Sequence, residues 1–379
     1  MTLAVEAIAP GAGTARLAYA SQWRLLWLRF KRHRLAVIGL ALTFLVYFIA
    51  LFAEIIAPAD PERANARFVY HPPQALHFID TSADGGWSFR PFVYAYSMKR
   101  DPATLKQVFV PDANGRKTYL RFFGPGDGYQ LWGLFPMNIH LLAAEKPGEP
   151  FYLFGSDRLG RDMLSRVVYG ARTTMSIGLV GVVISVVLGI FLGGISGYYG
   201  GKIDWVIQRL VEYILSLPTI PIWLALAAAL PKGWSPILQY FTITAIISLV
   251  GWTELARVVR GRFLAMRAEP FVTAARLDGC REGRIIFRHM LPSLASHIIA
   301  AVSLAVPTMI LAETALSFLG LGLQPPAISW GVLLKEAQNI RSIAAAPWVF
   351  IPGIAVILMV LSLNFVGDGL RDAADPYSQ

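Results

Sequence analysis

The stretch FVTAARLDGCREGRIIFRHMLPS, residues 271–293, decides how the chain is read. It interrupts two strongly apolar segments and carries Arg276, Arg281, Arg284 and Arg288. Pro270, just before it, suits a first helical position, where a missing N–H costs nothing. Phe271, Ala274 and Ala275 then fall at i, i+3 and i+4, on one helical face. Gly279 fits the left-handed position that ends a helix. REGRIIFRHML predicts a second helix, and Pro292 begins the next apolar run. The small alanines would let a partner approach closely, and the arginines keep the element out of lipid. Such a two-part element can transmit force from a soluble partner to membrane spans.

The composition agrees. Of 379 residues, 55% are hydrophobic and only 15% charged, against about a quarter charged in soluble domains. The net charge of +10 does not point to nucleic acid. The basic residues cluster beside apolar runs, the pattern of the positive-inside rule. Cys280 is the single cysteine, which excludes an intrachain disulfide and a cysteine metal cluster. The first twenty residues lack the ordered parts of a cleaved signal peptide. SQWRLLWLRFKRHR, residues 21–34, mixes Trp23 and Trp27 with Arg and Lys and predicts a helix lying in the membrane surface.

A helix needs about 20 apolar residues to cross the hydrocarbon core. Six candidates occur, at about 35–58, 173–199, 211–230, 238–258, 293–319 and 348–366. The third is broken by Pro218 and Pro221, and the fifth contains Pro307. Arg16, Arg24, Arg29, Lys31, Arg32 and Arg34 precede the first span. Arg257, Arg260, Arg262, Arg267, Arg276, Arg281, Arg284 and Arg288 lie between the fourth and fifth. With six spans these regions share a side, which the rule makes cytoplasmic, with both termini. Residues 59–172 then lie outside, since long loops translocate regardless of charge.

The chain is therefore expected to be an all-α integral membrane protein of about six transmembrane helices, with an N-terminal interfacial helix and a large extracytoplasmic insertion of mixed structure. The expected division is a cytoplasmic N-terminus over 1–34 and a first span over 35–58. The extracytoplasmic subdomain covers 59–153. A five-helix core over 154–366 contains the cytoplasmic loop 257–292, and a cytoplasmic tail covers 367–379. A structureless loop of a hundred residues is improbable, so the insertion should be ordered. Alternating runs such as PFVYAYSM suggest strands in it.

Three carboxylates lie in or near the spans. Glu54 and Glu212 fall near span ends and suit an interfacial placement, whereas Glu313 has apolar residues on both sides. Intramembrane carboxylates are functional candidates by default. Glu313 either makes a polar packing contact or stands at the outer mouth of a pathway. SDRLGRD, residues 156–162, reads either as a structured turn facing a partner, carried by Asp157, Gly160, Arg161 and Asp162, or as a solvated helix cap from Ser156 or Asp157. His77 three residues before Asp80 is a lone pair with no further metal ligand at a recognisable spacing. GGISG, residues 193–197, supplies small residues for close helix packing. YGGKID lacks both the first glycine and the following hydroxyl of a phosphate-binding loop.

The residues 273–292 also carry a resemblance. ATP-binding-cassette importers have membrane subunits with a cytoplasmic loop of the pattern EAA, three residues, G, nine residues, I-x-L-P. Thr273, Ala274, Ala275, Gly279, Leu291 and Pro292 fall in that register, with Thr273 in place of the glutamate and His289 in place of the apolar residue. FGSDRLGRDMLSRVVYGARTTMSIG, ETALSFLGLGLQPPAISWG and DGLRDAADP, in that order, are similar to further segments of the C-type subunit of dipeptide, oligopeptide and nickel permeases. The enlarged outer loop with HPPQALHFID looks most like the Yej-type permease, which is linked to oligopeptides and microcin C.

The resemblance implies a transmembrane permease subunit in the bacterial inner membrane that binds no cofactor itself. ATP and Mg would be handled by separate ATP-binding subunits, contacted through Phe271 and the residues 273–279. A second homologous permease subunit and an extracytoplasmic solute-binding protein complete the assembly it implies. The competing expectation is an integral membrane enzyme or sensor that uses the outer subdomain; no clustered catalytic set supports it.

Overall fold

The computed structural model describes residues 22–374, apart from 82–86, 101–106, 114, 147 and 232. The first 21 residues, and DGLRDAADP from Asp375 onward, lie outside the described residues. Helix α1, Gln22–Phe30, turns back at Lys31–His33 into α2, Arg34–Leu51. Phe30 is buried against Ala36 and the last helix, while Trp27 and Leu28 stay exposed, so α1 keeps an open apolar face. A short α3, Ala53–Ile56, ends the first span.

The insertion that follows is built mainly of strands. Strands β1 (His77–Thr81), β2 (Trp87–Tyr94), β5 (Lys117–Leu131) and β6 (Phe135–Ala144) form an antiparallel sheet in the order β1-β2-β5-β6. Strands β3 (Tyr96–Arg100) and β4 (Gln107–Pro111) pair separately. Val93, Leu120, Leu142 and Phe151 make its small core. Its two ends meet: Gln74 donates its N–H to the Tyr152 carbonyl at 2.9 Å.

The helices that follow include α4 (Met163–Tyr199), α5 (Gly201–Ser216), α6 (Thr219–Ala228), α7 (Pro236–Met266), α8 (Pro270–Leu277), α9 (Ala295–Phe318), α10 (Trp330–Leu334) and α11 (Ile351–Ala374), with shorter helical turns between them. Among the described residues, α2, α4, α7, α9 and the α11 segment are long and apolar enough to cross a membrane. Helices α5 and α6 are long and apolar enough only as a pair bent by 89°, a broken span or a re-entrant loop.

Several boundaries differ from the sequence expectation. Helix α4 begins at Met163, ten residues before the apolar run, because Asp162 caps it there. The third span is no straight rod over 211–230: Leu217 and Pro218 leave the helix, and the ten residues of α6 span only about 15 Å. Helix α7 continues past residue 258 to Met266, and α11 passes residue 366 without a break. Hydropathy marks where lipid ends, not where the backbone leaves the helix.

Lipid offers no hydrophobic drive for helix association, so the bundle relies on small residues and close packing. Gly189, Gly193 and Gly197 recur every four residues on α4 and face α7. A Cβ at Gly193 would lie 2.4 Å from the Ala256 carbonyl oxygen, closer than any side chain permits. Met175, Ile243, Ile247, Ile310, Leu316 and Met359 fill the centre between α4, α7, α9 and α11.

Candidate functional site

Helix α8 starts with Pro270 behind Glu269 in extended conformation and ends in a two-bond cap. The Gly279 N–H reaches the Arg276 carbonyl at 3.0 Å, and the Cys280 N–H reaches Ala275 at 3.1 Å. Gly279 itself has φ +72°, the left-handed conformation this cap requires. Helical structure resumes at Glu282–Arg284 and continues as a π-turn, Ile285–Met290, into Leu291–Ser293 and α9. The hinge at glycine and the two flanking helices are as the spacing predicts. The second arm differs in being widened to a π-turn.

The face assignment needs correction. Val272 and Ala275 point inward, packed with Phe263, Val259, Ile285 and Met290. Phe271, Thr273 and Ala274 are exposed, as are Leu277 and Phe287. Phe271 and Ala274 therefore share a face with Leu277, not with Ala275, and that face is open. Leu291 is partly buried and Pro292 exposed at the entry to α9.

Tyr198 and Tyr199, at the end of α4, bind this element to the bundle. Tyr199 donates its hydroxyl to Glu282 at 2.8 Å, and the Arg276 guanidinium lies 5.3 Å from the Tyr198 ring centre. Arg267 donates to the Tyr198 carbonyl at 3.3 Å. Nearby, Arg260 on α7 grips Asp204 on α5 with two hydrogen bonds of 2.5 and 2.7 Å. A push on α8 thus meets α7 through Phe263 and Val259, and α4 through two tyrosines. Sequence reasoning missed Val272, Phe263 and both tyrosines; the i, i+3 spacing of Val272 and Ala275 is the one signal that could have found the inward face.

The turn over residues 156–162 is structured, and its carboxylates face inward. Asp157 is 1% exposed. Its Oδ1 accepts the N–H groups of Leu159 and Arg161 at 2.8 and 3.0 Å, and its Oδ2 accepts Arg161 Nε at 2.7 Å. Gly160 has φ +72°, and a Cβ there would lie 1.9 Å from the Asn65 carbonyl oxygen, so glycine is required twice over. The helix cap is Asp162, not Ser156 or Asp157: its Oδ2 accepts Ser165 N–H at 2.7 Å and Oγ–H at 2.6 Å. Burial pushes the Asp162 carboxyl up to about 6. Trp348 donates its indole N–H to the Ser156 carbonyl at 2.8 Å. The turn ties the outer connector, the start of α4 and the approach to α11 together; Leu159 and Arg158 are the members left exposed.

Glu313 is fully buried at the centre of a hydroxyl network. It accepts from Ser317 at 2.8 Å, Ser329 at 2.7 Å and Thr174 at 3.2 Å. Each hydroxyl accepts a backbone N–H in turn, from Leu323, Val332 and Trp330 respectively. One carboxylate thereby fixes the loop after α9 against α4 as a buried polar packing contact. Glu313→Leu removes the common acceptor, and each stranded donor costs about 1–3 kcal/mol. The midpoint of thermal unfolding of the detergent-solubilised protein should fall by several degrees. Glu313→Gln keeps an acceptor and should fall less; equal losses would exclude this role for the carboxylate.

Glu54 does lie at a span end, held by Arg172 at 2.7 and 2.5 Å. Glu212 is exposed beside Arg209. Asp80 accepts from Lys117 at 2.6 Å and Tyr119 at 2.8 Å, while the His77 ring stacks on Phe92. Among the described residues no group of three His, Cys, Asp or Glu side chains is placed to hold a metal ion.

Residues 185–377 match the family described as the binding-protein-dependent transport system inner membrane component, and residues 21–73 match the N-terminal TM domain of oligopeptide transport permease C. The oligopeptide transport system permease protein OppC of Bacillus subtilis is 35% identical over 238 residues, 62% of this chain and 75% of that one. The dipeptide transport system permease protein DppC of Alkalihalophilus pseudofirmus is 42% identical over 224 residues, 59% of this chain and 71% of that one. Among solved structures, inward-facing MetNI methionine ABC transporter aligns with a TM-score of 0.46 at 16% identity, covering 56% of this chain and 98% of that one. The long apolar helices, the basic element that interrupts them and the family match over residues 185–377 place the chain in the family of binding-protein-dependent transport system inner membrane components.

Proposed function

We propose that the chain is one membrane subunit of an ATP-driven importer of oligopeptides or peptide-like compounds, coupled to its ATPase through α8. The open face of α8 carries this reading. Phe271, Ala274 and Leu277 present an apolar surface on an element rich in arginine, while Val272 and Ala275 anchor its other side in the bundle. An exposed apolar face beside charged residues is the composition of a docking surface. Closure of an ATPase pair would shift α8, and with it α4 and α7, biasing the bundle between two arrangements. ATP and Mg bind the partner subunits, a second permease subunit completes the pathway, and an extracytoplasmic binding protein delivers cargo. Peptide cargo follows from the names of the relatives, and the enlarged outer subdomain favours the Yej-type branch. The turn at Asp157–Asp162 serves as an outer brace, with Arg158 and Leu159 free to meet a partner.

This reading places both termini and Cys280 in the cytoplasm of a bacterial inner membrane. A membrane-impermeant maleimide should leave Cys280 unlabelled in spheroplasts and label it in inverted vesicles. Labelling from outside would overturn the orientation and the coupling role together.

A further inference from the structure

We propose that the tip of the β5–β6 hairpin is a lipid anchor, seated in the outer headgroup layer beside the end of the first span. The inference rests on α2 crossing the bilayer in the orientation proposed above, with Leu51 at its outer end.

The tip is the turn at residues 131–134. Gly133 N–H reaches the Gln130 carbonyl at 3.1 Å, and Leu134 N–H reaches Leu131 at 3.0 Å. Trp132 has φ +53° and Gly133 φ +72°. Positive φ at both central positions makes the mirror-image hairpin turn, in which asparagine or aspartate before glycine fits without strain. A tryptophan in that conformation is disfavoured. Its side chain has to recover what its backbone loses.

The indole does so at the membrane edge. Trp132 donates its ring N–H to the Leu51 carbonyl at 2.8 Å, the last residue of α2. Its ring lies 5.7 Å from Phe52, which lies 4.9 Å from Phe48. Glu54 accepts the Trp132 backbone N–H at 3.3 Å and is itself locked by Arg172. Arg172 also donates to the Ala50 and Leu51 carbonyls, so the span end and the hairpin tip form one hydrogen-bonded unit.

The depth follows from helix geometry. Arg34 to Leu51 rises about 26 Å at 1.5 Å per residue, close to the hydrocarbon thickness of about 30 Å. A residue touching Leu51 therefore lies where hydrocarbon gives way to headgroups. Trp is the side chain enriched at that level, an apolar ring with one polar edge. The rest of the tip is apolar and open: Trp132 is 46% exposed, Leu134 73% and Phe135 55%. No charged residue occurs between Tyr129 and Ile139. Phe44 and Phe48 are exposed on α2, so the ladder from Phe48 through Phe52 to Trp132 carries the lipid-facing surface of the first span onto the hairpin without a break. That continuity identifies the occupant of the apolar tip as the outer lipid leaflet.

The test uses the full chain with its co-purified subunits in lipid nanodiscs. Single cysteines at Leu134 and at Phe135, each in a Cys280→Ala background, carry a nitroxide spin label. Phe48→Cys serves as the lipid reference. Arg121→Cys, ten residues up β5 and about 33 Å away along the strand, serves as the water reference. The expected result at both tip positions is a ratio of oxygen to nickel-chelate accessibility several-fold above that at Arg121→Cys and approaching that at Phe48→Cys. A tip label as open to aqueous nickel as Arg121→Cys overturns the proposal. A label shielded from both quenchers also overturns it, and assigns the tip to a protein partner.

Discussion

Replacing Gly279 with leucine is expected to abolish transport while leaving the protein inserted in the membrane. The cap after α8 holds Gly279 at φ +72°, where a side chain costs about 1–2 kcal/mol. That cost alone does not unfold a bundle. Within the chain a Cβ at this position meets nothing within 4 Å, so leucine has room in the isolated subunit. The obstruction arises only when another protein occupies the space in front of the hinge. Gly279→Ala therefore separates the two effects: it carries the backbone strain with one methyl group and should keep measurable transport. Gly279→Leu adds bulk and should lose both ATPase capture on affinity purification and peptide uptake into energised vesicles. Full uptake by the leucine variant would rule out a docking role for this hinge. Equal loss in both variants would make the backbone conformation, and not the contact, the decisive feature.

This hinge was legible because its signals are local. Pro270, Gly279 and Pro292 each restrict the backbone at their own position, and the cap bonds span only six residues. The inward face of α8 was harder to read. Ala274 and Ala275 are equally small, and only packing against Phe263 and Ile285 decides that Ala275 and Val272 turn inward. The spans were legible from composition, yet the start of α4 was not. MLSRVVYGAR contains two arginines and a serine that lipid would exclude, and the helix begins there because Asp162 caps it. Glu313 shows the limit most plainly. Its isolation among apolar residues is visible in the sequence, but Thr174 lies 139 residues away and Ser329 lies 16, so no spacing announces that their hydroxyls converge on it. The sheet was hinted at by alternation, while its register depends on pairings between strands distant in sequence, such as Phe92 with Tyr119, and on the irregularity between Pro125 and Tyr129.

Excising residues 75–149 is expected to leave an inserted subunit that captures its ATPase but no longer responds to its binding protein. The fold supplies the splice. Gln74 N–H and the Tyr152 carbonyl lie 2.9 Å apart, and the Gln74 side chain accepts Tyr152 N–H at 2.6 Å. A short Gly/Ser linker can therefore join the two ends without pulling on either. The brace around Asp157 survives, because its partners Asn65, His71, Arg161 and Trp348 all lie outside the excised segment. The Glu54–Arg172 pair survives too, although Glu54 loses the Trp132 N–H and the Ala57 carbonyl loses the ring of His140. Helix packing in the bundle is otherwise local to the spans, since the sheet meets the end of the first span through Leu51, Glu54 and Ala57. What disappears is an aromatic surface that also carries Arg90, with Trp87 79% and Phe89 67% exposed. Residues of this kind are the usual anchors of protein contacts, and in the orientation proposed above the excised segment faces the side from which a binding protein would deliver cargo. Stimulation of ATPase activity by the binding protein and uptake of peptide should both fall at least tenfold, with basal ATPase activity retained. Normal stimulation and uptake in the shortened chain would show that the binding protein docks elsewhere. Failure to capture the ATPase would show instead that the sheet is needed to hold the bundle itself.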